Sequence, residues 1–232
     1  MKHNFFSKGH DGCIVHPAIM PDQEQSIYYV TKIGTHKTMT NEKYIYDLLP
    51  DEFTDKIYYK ECIIDNFVLD EAILDDDVID RIKEKSSKNE IYDTQITVKL
   101  FNGKNLAMLL DKSDINKIQV FNLLHKLIMF YGCIKKLNSI YHIYHRDITR
   151  HNILYDVTNN TICLVDFVQS KKYSHNKKPA HLPDKDLEDT MDVIKSVLDF
   201  IKHKTRVNYM PHINNIKQLI NEMKQIKYIL RL

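Results

Sequence analysis

The stretch that decides the fold reads HRDITRHNIL at residues 145–154 and is followed by VDF at residues 165–167. It places three chemically active side chains at fixed separations. Asp147 precedes Asn152 by five positions, and Asp166 follows fourteen positions later. Carboxylate and amide oxygens are the ligands that magnesium takes from proteins when phosphate groups supply the rest.

Two short runs between these residues predict the arm that brings them together. Residues 153–155 and 161–165 are rich in β-branched and apolar side chains, and Asn159 and Asn160 between them are typical of a turn. The sequence therefore predicts a β-hairpin that returns the chain from Asn152 to the next carboxylate.

The pattern H-R-D-x-x-x-x-N, followed by D-F, resembles the catalytic loop and metal-binding segment of the protein kinase superfamily. The resemblance implies an α+β, two-lobed protein-kinase-like fold, with a β-rich N-lobe at residues 1–101. A reduced α-helical C-lobe is expected at residues 102–232. It also implies an ATP-dependent protein kinase that uses Mg²⁺ or Mn²⁺ and phosphorylates a protein hydroxyl, with Ser or Thr favoured.

The same resemblance assigns roles within the decisive stretch. Asp147 is the expected catalytic carboxylate, with Arg146 and Asn152 beside it. Asn152 and Asp166 are the expected metal ligands. His145 is expected to pack against Phe167.

An upstream glycine-rich segment is expected to cover the ATP phosphates. Residues 7–14 read SKGHDGCI and resemble that loop, which makes Gly9, Gly12 and Ile14 candidate nucleotide-binding residues. The first glycine of the family pattern is Ser7 here.

A strand lysine and a helical glutamate complete the expected nucleotide site. Lys32, in the predicted strand 27–33, is the candidate that holds the phosphates. Glu42 in the following helix is its favoured partner, and Glu52 remains an alternative. Backbone groups of Lys99, Leu100 and Phe101 are expected to bind adenine.

The remaining elements follow from periodicity. Predicted helices cover 40–49, 71–85, 106–110, 114–140, 187–203 and 213–232, and further predicted strands cover 57–59, 62–64 and 95–101. Asn102 marks the boundary between the β-rich and the α-rich half.

Composition excludes several other classes. The 232 residues carry 33 Lys and Arg against 31 Asp and Glu, so a strongly basic nucleic-acid binder is not indicated. No apolar run reaches the roughly 18 residues of a membrane span, and no signal peptide is expected. Four scattered cysteines indicate a reducing, cytoplasmic setting. A bias toward Ile, Lys and Asn, together with the run 9–17, resembles the kinases of large nucleocytoplasmic DNA viruses, which implies host cytoplasm or virion.

Several positions depart from the family pattern. Val168 replaces the glycine after Asp-Phe, and Thr149 replaces a lysine of the catalytic loop. No Ala-Pro-Glu follows. Asp189 resembles the aspartate that anchors the catalytic loop, with Asp186 as the competitor, and Arg146 is a candidate partner for a phosphorylated Tyr173 or Ser174.

These departures leave two alternative functions open. One is a pseudokinase, which binds nucleotide and interacts with partners but transfers no phosphate. The other is a small-molecule kinase of the same fold.

Overall fold

The structure is a computed structural model, and it describes residues 4–8, 12–20, 22, 24–86, 88, 90–111, 115–174 and 182–204. The chain is a mixed α+β protein, and the paired strands within these residues all run antiparallel. The predicted α+β class is therefore confirmed.

A five-stranded sheet occupies the first hundred residues, in the order β1-β2-β3-β5-β4. Its strands are β1 Asn4–Lys8, β2 Cys13–His16, β3 Tyr29–Gly34, β4 Cys62–Asn66 and β5 Thr94–Lys99. The segments of β3 and β5 contain many β-branched residues, which fit a pleated, half-buried surface. Ile14, Lys32 and Ile96 stand side by side across the three central strands.

Two helices lie against opposite faces of this sheet: α1 His36–Leu48 and α2 Asp76–Ser86. Successive strand residues point to opposite faces. Lys32 contacts α1, whereas its neighbour Ile33 belongs to the apolar cluster that includes α2. Thr35 caps the first turn of α1 by accepting a hydrogen bond from the backbone N–H of Thr38 at 3.3 Å.

The chain after residue 102 is mainly helical. Its elements are β6 Lys104–Asn105, α3 Leu106–Asp111, α4 Lys117–Ser139, β7 Ile143–Tyr144, β8 Ile153–Asp156, β9 Thr161–Leu164, β10 Lys171–Lys172 and α5 Leu182–Lys204. Strands β6, β8 and β9 form one small sheet, and β7 pairs with β10. A capping box between Asn116 and Gln119 starts α4.

The largest apolar core contains residues from both sides of the predicted boundary at Asn102. It joins α3, α4, α5 and the β8–β9 hairpin to Ile45, Tyr46 and Leu49 near the end of α1. One end of helix α1 therefore packs against the sheet, and the other end packs into the helical core.

Within the residues that the structure describes, one predicted strand is absent, and several predicted helices begin at other residues than predicted. Residues 57–59 form no strand: Ile57 and Tyr58 are buried in the helical core, and the N–H of Leu164 donates to the carbonyl of Ile57 at 2.6 Å. Their apolar composition reflects burial and not sheet pairing. The helix predicted from residue 71 begins at Asp76, the one predicted from residue 40 begins at His36, and the one predicted from residue 187 begins at Leu182. The predicted helix 213–232 lies outside the described residues.

In the described part of the chain, no helix combines the length and the apolarity needed to cross a bilayer.

Candidate active site

A carboxylate of α5 binds the backbone at the start of the loop 145–152. The backbone N–H groups of His145 and Arg146 donate to the two oxygens of Asp186, at 2.8 and 2.7 Å. Asp189, which the sequence favoured for this role, pairs with Lys185 at the surface of α5, so that prediction was wrong. The anchor is the competing candidate, one turn earlier.

Asp147 and Asn152 are in direct contact. The side-chain NH₂ of Asn152 donates to the carboxylate Oδ2 of Asp147 at 2.8 Å and to its backbone oxygen at 2.9 Å. Because both donations come from the amide nitrogen, the amide oxygen Oδ1 is turned away from Asp147 and can serve as a ligand.

The predicted hairpin is present and performs the predicted return. Ile153 pairs with Leu164 at its base, and the N–H of Val165 donates to the backbone oxygen of Asn152 at 3.0 Å. The left-handed backbone of Asn160, with φ of 51°, closes the turn. Asp166 is therefore delivered beside the loop that carries Asn152.

Lys32 joins two acidic residues that are far apart in the sequence. Its Nζ lies 2.8 Å from Glu42 Oε2 on α1 and 2.6 Å from Asp166 Oδ1. Of the two candidate glutamates, Glu42 makes this contact, whereas Glu52 accepts a hydrogen bond from Tyr141. The backbone of Asp166 is left-handed, with φ of 68°, a conformation that non-glycine residues adopt at a cost.

The opposite charges of Lys32 and Asp166 stabilise each other, whereas burial and the nearby Asp166 raise the pKa of Glu42 above its ordinary value. Burial disfavours the charge on Lys32, but Glu42 and Asp166 outweigh it and hold the pKa of the ammonium above its ordinary value. Burial likewise opposes the charge on Asp166, but Lys32 prevails and keeps the pKa of that carboxyl below its ordinary value. A cation and an anion therefore persist side by side at neutral pH.

Phe167 is fully buried next to these charged side chains. The centre of its ring lies 4.9 Å from the centre of the His145 ring, a contact that the sequence predicts. The ring centres of Tyr46 and Tyr58 lie 5.1 and 6.1 Å away. Its N–H donates to Glu42 Oε1 at 3.0 Å. Helix α1, the loop 145–152 and the segment after Asp166 thus meet at one aromatic side chain.

The described end of the glycine-rich segment, residues 12–14, lies next to Lys32 in the sheet. Ile14 pairs with Lys32 across β2 and β3. A Cβ on Gly12 would stand 2.6 Å from the backbone oxygen of Ile33, so close approach to β3 requires glycine at this position. Gly9 lies outside the described residues.

The predicted adenine-binding segment is partly occupied by internal hydrogen bonds. The N–H of Leu100 donates to the carbonyl of Tyr28 at 2.8 Å, and the carbonyl of Phe101 accepts from Gly103 at 2.9 Å. The N–H of Leu100 is therefore not free for a purine, whereas the carbonyl of Phe101 retains a second lone pair. The side chain of Lys99 is exposed, and its Nζ lies 5.1 Å from the centre of the Tyr59 ring.

Asn152 and Asp166 provide the oxygen donors of the predicted metal site. Among the described residues no group of three or more His, Cys, Asp or Glu side chains could hold a metal ion. Asn152 and Asp166 offer hard oxygen atoms, and Mg²⁺ commonly takes one or two protein ligands together with phosphate oxygens and water. The residues present therefore fit magnesium bound with a nucleotide.

Sequence reasoning missed two side chains of this region, Asn41 and Ser170. The side chain of Asn41 donates to the backbone oxygens of Val168 and Ser170. The hydroxyl of Ser170 donates to the backbone oxygen of His145. Neither belongs to a recognisable motif. The only available signal was the position of Asn41 directly before the motif glutamate.

Comparison with models of known protein families gives no match, and comparison with curated proteins gives no significant match either. Function is therefore inferred from this chain's own side chains and their geometry.

Proposed function

We propose that this protein has the two-lobed arrangement of the protein kinases and transfers the γ-phosphate of Mg-ATP to a protein hydroxyl. The observation that carries the proposal is the double contact of Lys32 with Glu42 and Asp166, at 2.8 and 2.6 Å. These residues lie up to 134 positions apart, and the sequence predicts Lys32 and Glu42 as nucleotide-binding residues and Asp166 as a metal ligand.

The charge distribution suits a phosphate that binds together with a divalent cation, because one ammonium lies between two carboxylates. Lys32 is only 5% exposed, yet it is held as a cation by two carboxylates. A buried, oriented ammonium beside a metal-binding carboxylate suits the polyphosphate of a nucleotide. When bound, Mg²⁺ supplies charge neutralisation on the phosphate oxygens.

The side chains divide the reaction between them. The acceptor hydroxyl oxygen forms a bond to the γ-phosphorus while the bond to the β–γ bridging oxygen breaks, and the hydroxyl proton passes to the carboxylate of Asp147. Asn152 holds that carboxylate through the 2.8 Å hydrogen bond. Lys32, Asp166 and Asn152 fix the phosphates relative to Asp147.

Transfer of labelled γ-phosphate tests the proposal. The purified protein is incubated with Mg²⁺ or Mn²⁺, alone and with casein, histone or myelin basic protein as acceptors. Asp147→Asn should lower the transfer rate about 10²- to 10⁴-fold, because a general base is lost, while nucleotide binding persists. Asp192→Asn, at an exposed carboxylate that pairs with Lys195 on α5, is the matched control and should retain the wild-type rate.

Two outcomes would contradict a protein kinase and separate the alternatives. Absence of label in all variants, with Mg-ATP still raising the melting temperature, would indicate a pseudokinase. Transfer to a metabolite and never to protein would indicate a small-molecule kinase. Equal rates for wild type and Asp147→Asn would overturn the mechanism.

A further inference from the structure

We infer that Asn41 is a positioning residue that fastens the backbone after Asp166 to helix α1, so that the site is assembled without a phosphate on the segment 167–173. The inference rests on the proposed function for its consequence in catalysis. Its structural part, the fastening itself, can be measured independently.

The side chain of Asn41 binds two backbone carbonyls at once. Its Nδ2 donates to the oxygen of Val168 at 2.7 Å and to that of Ser170 at 3.3 Å. The next residue of the helix, Glu42, accepts from the N–H of Phe167 at 3.0 Å. Two consecutive residues of α1 therefore hold three backbone groups within four residues of the segment.

Val168 adds an apolar contact to this fastening. Its side chain is buried in a small cluster with Met39 of α1 and Ile96 of β5. A β-branched side chain also restricts the backbone more than glycine does. The departure from the family's glycine thus has a structural account: valine fills the space between helix and strand and favours one arrangement of the segment.

The opposite side of the segment is bound to the catalytic loop. Ser170 is fully buried, and its hydroxyl donates to the backbone oxygen of His145 at 3.2 Å. The guanidinium Nη1 of Arg146 donates to the backbone oxygen of Gln169 at 3.2 Å. Arg146 is therefore already engaged by a neutral carbonyl of the segment.

The far end of the segment is bound as well. Strand β10 pairs with β7, and the N–H of Tyr173 donates to the carbonyl of His142 at 3.0 Å. The rings of Tyr173 and Tyr144 lie 5.8 Å apart, edge to face. In each residue from Phe167 to Tyr173, a backbone group is thus hydrogen-bonded or the residue lies in a paired strand. A phosphate is commonly used to order such a segment through new contacts with arginine, and here unmodified groups make the contacts.

Asn41→Asp tests the fastening because it keeps the shape of the side chain. It replaces the amide donor by a carboxylate that faces two carbonyl oxygens. Asn122→Asp, at an exposed position of α4, adds the same charge elsewhere and is the matched control. Asn41→Ala removes the donor without adding charge and serves if the aspartate variant folds poorly.

Amide hydrogen exchange measures the structural part. Peptides that cover residues 166–173 should exchange at least about tenfold faster in Asn41→Asp, and faster to a smaller extent in Asn41→Ala, than in the wild type or Asn122→Asp. Unchanged exchange in both Asn41 variants would overturn the positioning role, whether or not the protein is a kinase.

Transfer kinetics measure the catalytic part. The kcat of Asn41→Asp should fall about tenfold or more with a smaller change in KM, whereas Asn122→Asp should keep the wild-type values. Phosphatase-treated wild type and the Tyr173→Phe/Ser174→Ala variant should transfer phosphate within about twofold of the untreated protein. Loss of activity on phosphatase treatment would overturn assembly without phosphate. A wild-type protein that neither binds nor uses ATP would instead overturn the proposed function. Hydrogen exchange would still test the positioning role of Asn41.

Discussion

Helices α1 and α2 cover opposite faces of one sheet, but they bury different kinds of side chain. Helix α2 packs apolar residues into a cluster with Cys13, Val15 and Ile33, and its ion pairs, such as Arg81 with Glu84, lie at the surface. Helix α1 instead turns Glu42 inward, 2% exposed, toward Lys32.

The difference separates two uses of the same element. Burial of apolar surface stabilises the fold without specifying a chemical partner. A buried ion pair contributes little net stability, because desolvation offsets attraction, but it requires a particular partner in a particular place. The apolar contacts of helix α2 therefore stabilise the fold, whereas α1 also fixes the geometry of Lys32, Asp166 and Phe167.

The largest expected effect comes from breaking the buried pair of α1. Glu42→Gln leaves Lys32 with one carboxylate and should lower the free energy of unfolding by about 3 kcal/mol. It should also reduce phosphate transfer at least about tenfold, because Lys32 loses its support. Urea unfolding and the transfer assay measure both.

Glu84→Gln on α2 is the control for that variant, because Glu84 pairs with Arg81 and Lys88 in water. Its unfolding midpoint and transfer rate should equal those of the wild type. If both glutamate variants behaved alike, the distinction between the two helices would be lost.

A pair of core truncations should sharpen the comparison. Ile82→Ala on α2 and Met39→Ala on α1 each remove a buried side chain and should each cost about 2 to 3 kcal/mol of unfolding free energy. Only Met39→Ala should weaken Mg-ATP binding, by about threefold or more, because Met39 packs against Val168. Urea titration and calorimetric binding at a temperature where both variants are folded test this. Weaker binding by Ile82→Ala would contradict it.

The smallest expected effect is a dependence of the free energy of unfolding on pH that arises from His145. Burial lowers the pKa of His145 below its ordinary value of about 6.5, although Asp186 and Asp166 act in the opposite direction. Nε2 donates to the carbonyl of Val165 at 3.0 Å, so protonation would add a charge at the buried Nδ1.

A group whose pKa is lowered by folding stabilises the protein fully above its unfolded pKa and loses that contribution as the pH falls. The free energy of unfolding should therefore decrease below pH 6.5, by at most about 1.4 kcal/mol per pH unit from this one proton. His145→Asn should remove that part of the slope, whereas His125→Asn, at an exposed position of α4, should not. Equal slopes in urea unfolding at pH 7.5 and 5.5 for wild type and His145→Asn would refute this origin.

The sequence by itself determined most of what depends on local spacing. The hairpin 153–165, the strand around Lys32 and the helix that carries Glu42 follow from alternation, helical periodicity and turn residues, which act within a few positions of the chain. The interval from Asp147 to Asn152 is likewise a local property, because a short loop limits how far the two side chains can separate.

Tertiary structure decided which distant groups meet. Asp186 and Asp189 lie one turn apart on the same helix, so periodicity cannot tell which one reaches the backbone of His145. Residues 57–59 have the composition of a strand, yet Ile57 and Tyr58 lie in the helical core. Asn41 lies on a helix like any polar residue, and its importance comes from Val168, 127 positions later. Such pairings are set by packing between elements, where hydrogen bonds and burial depend on neighbours that local sequence does not specify.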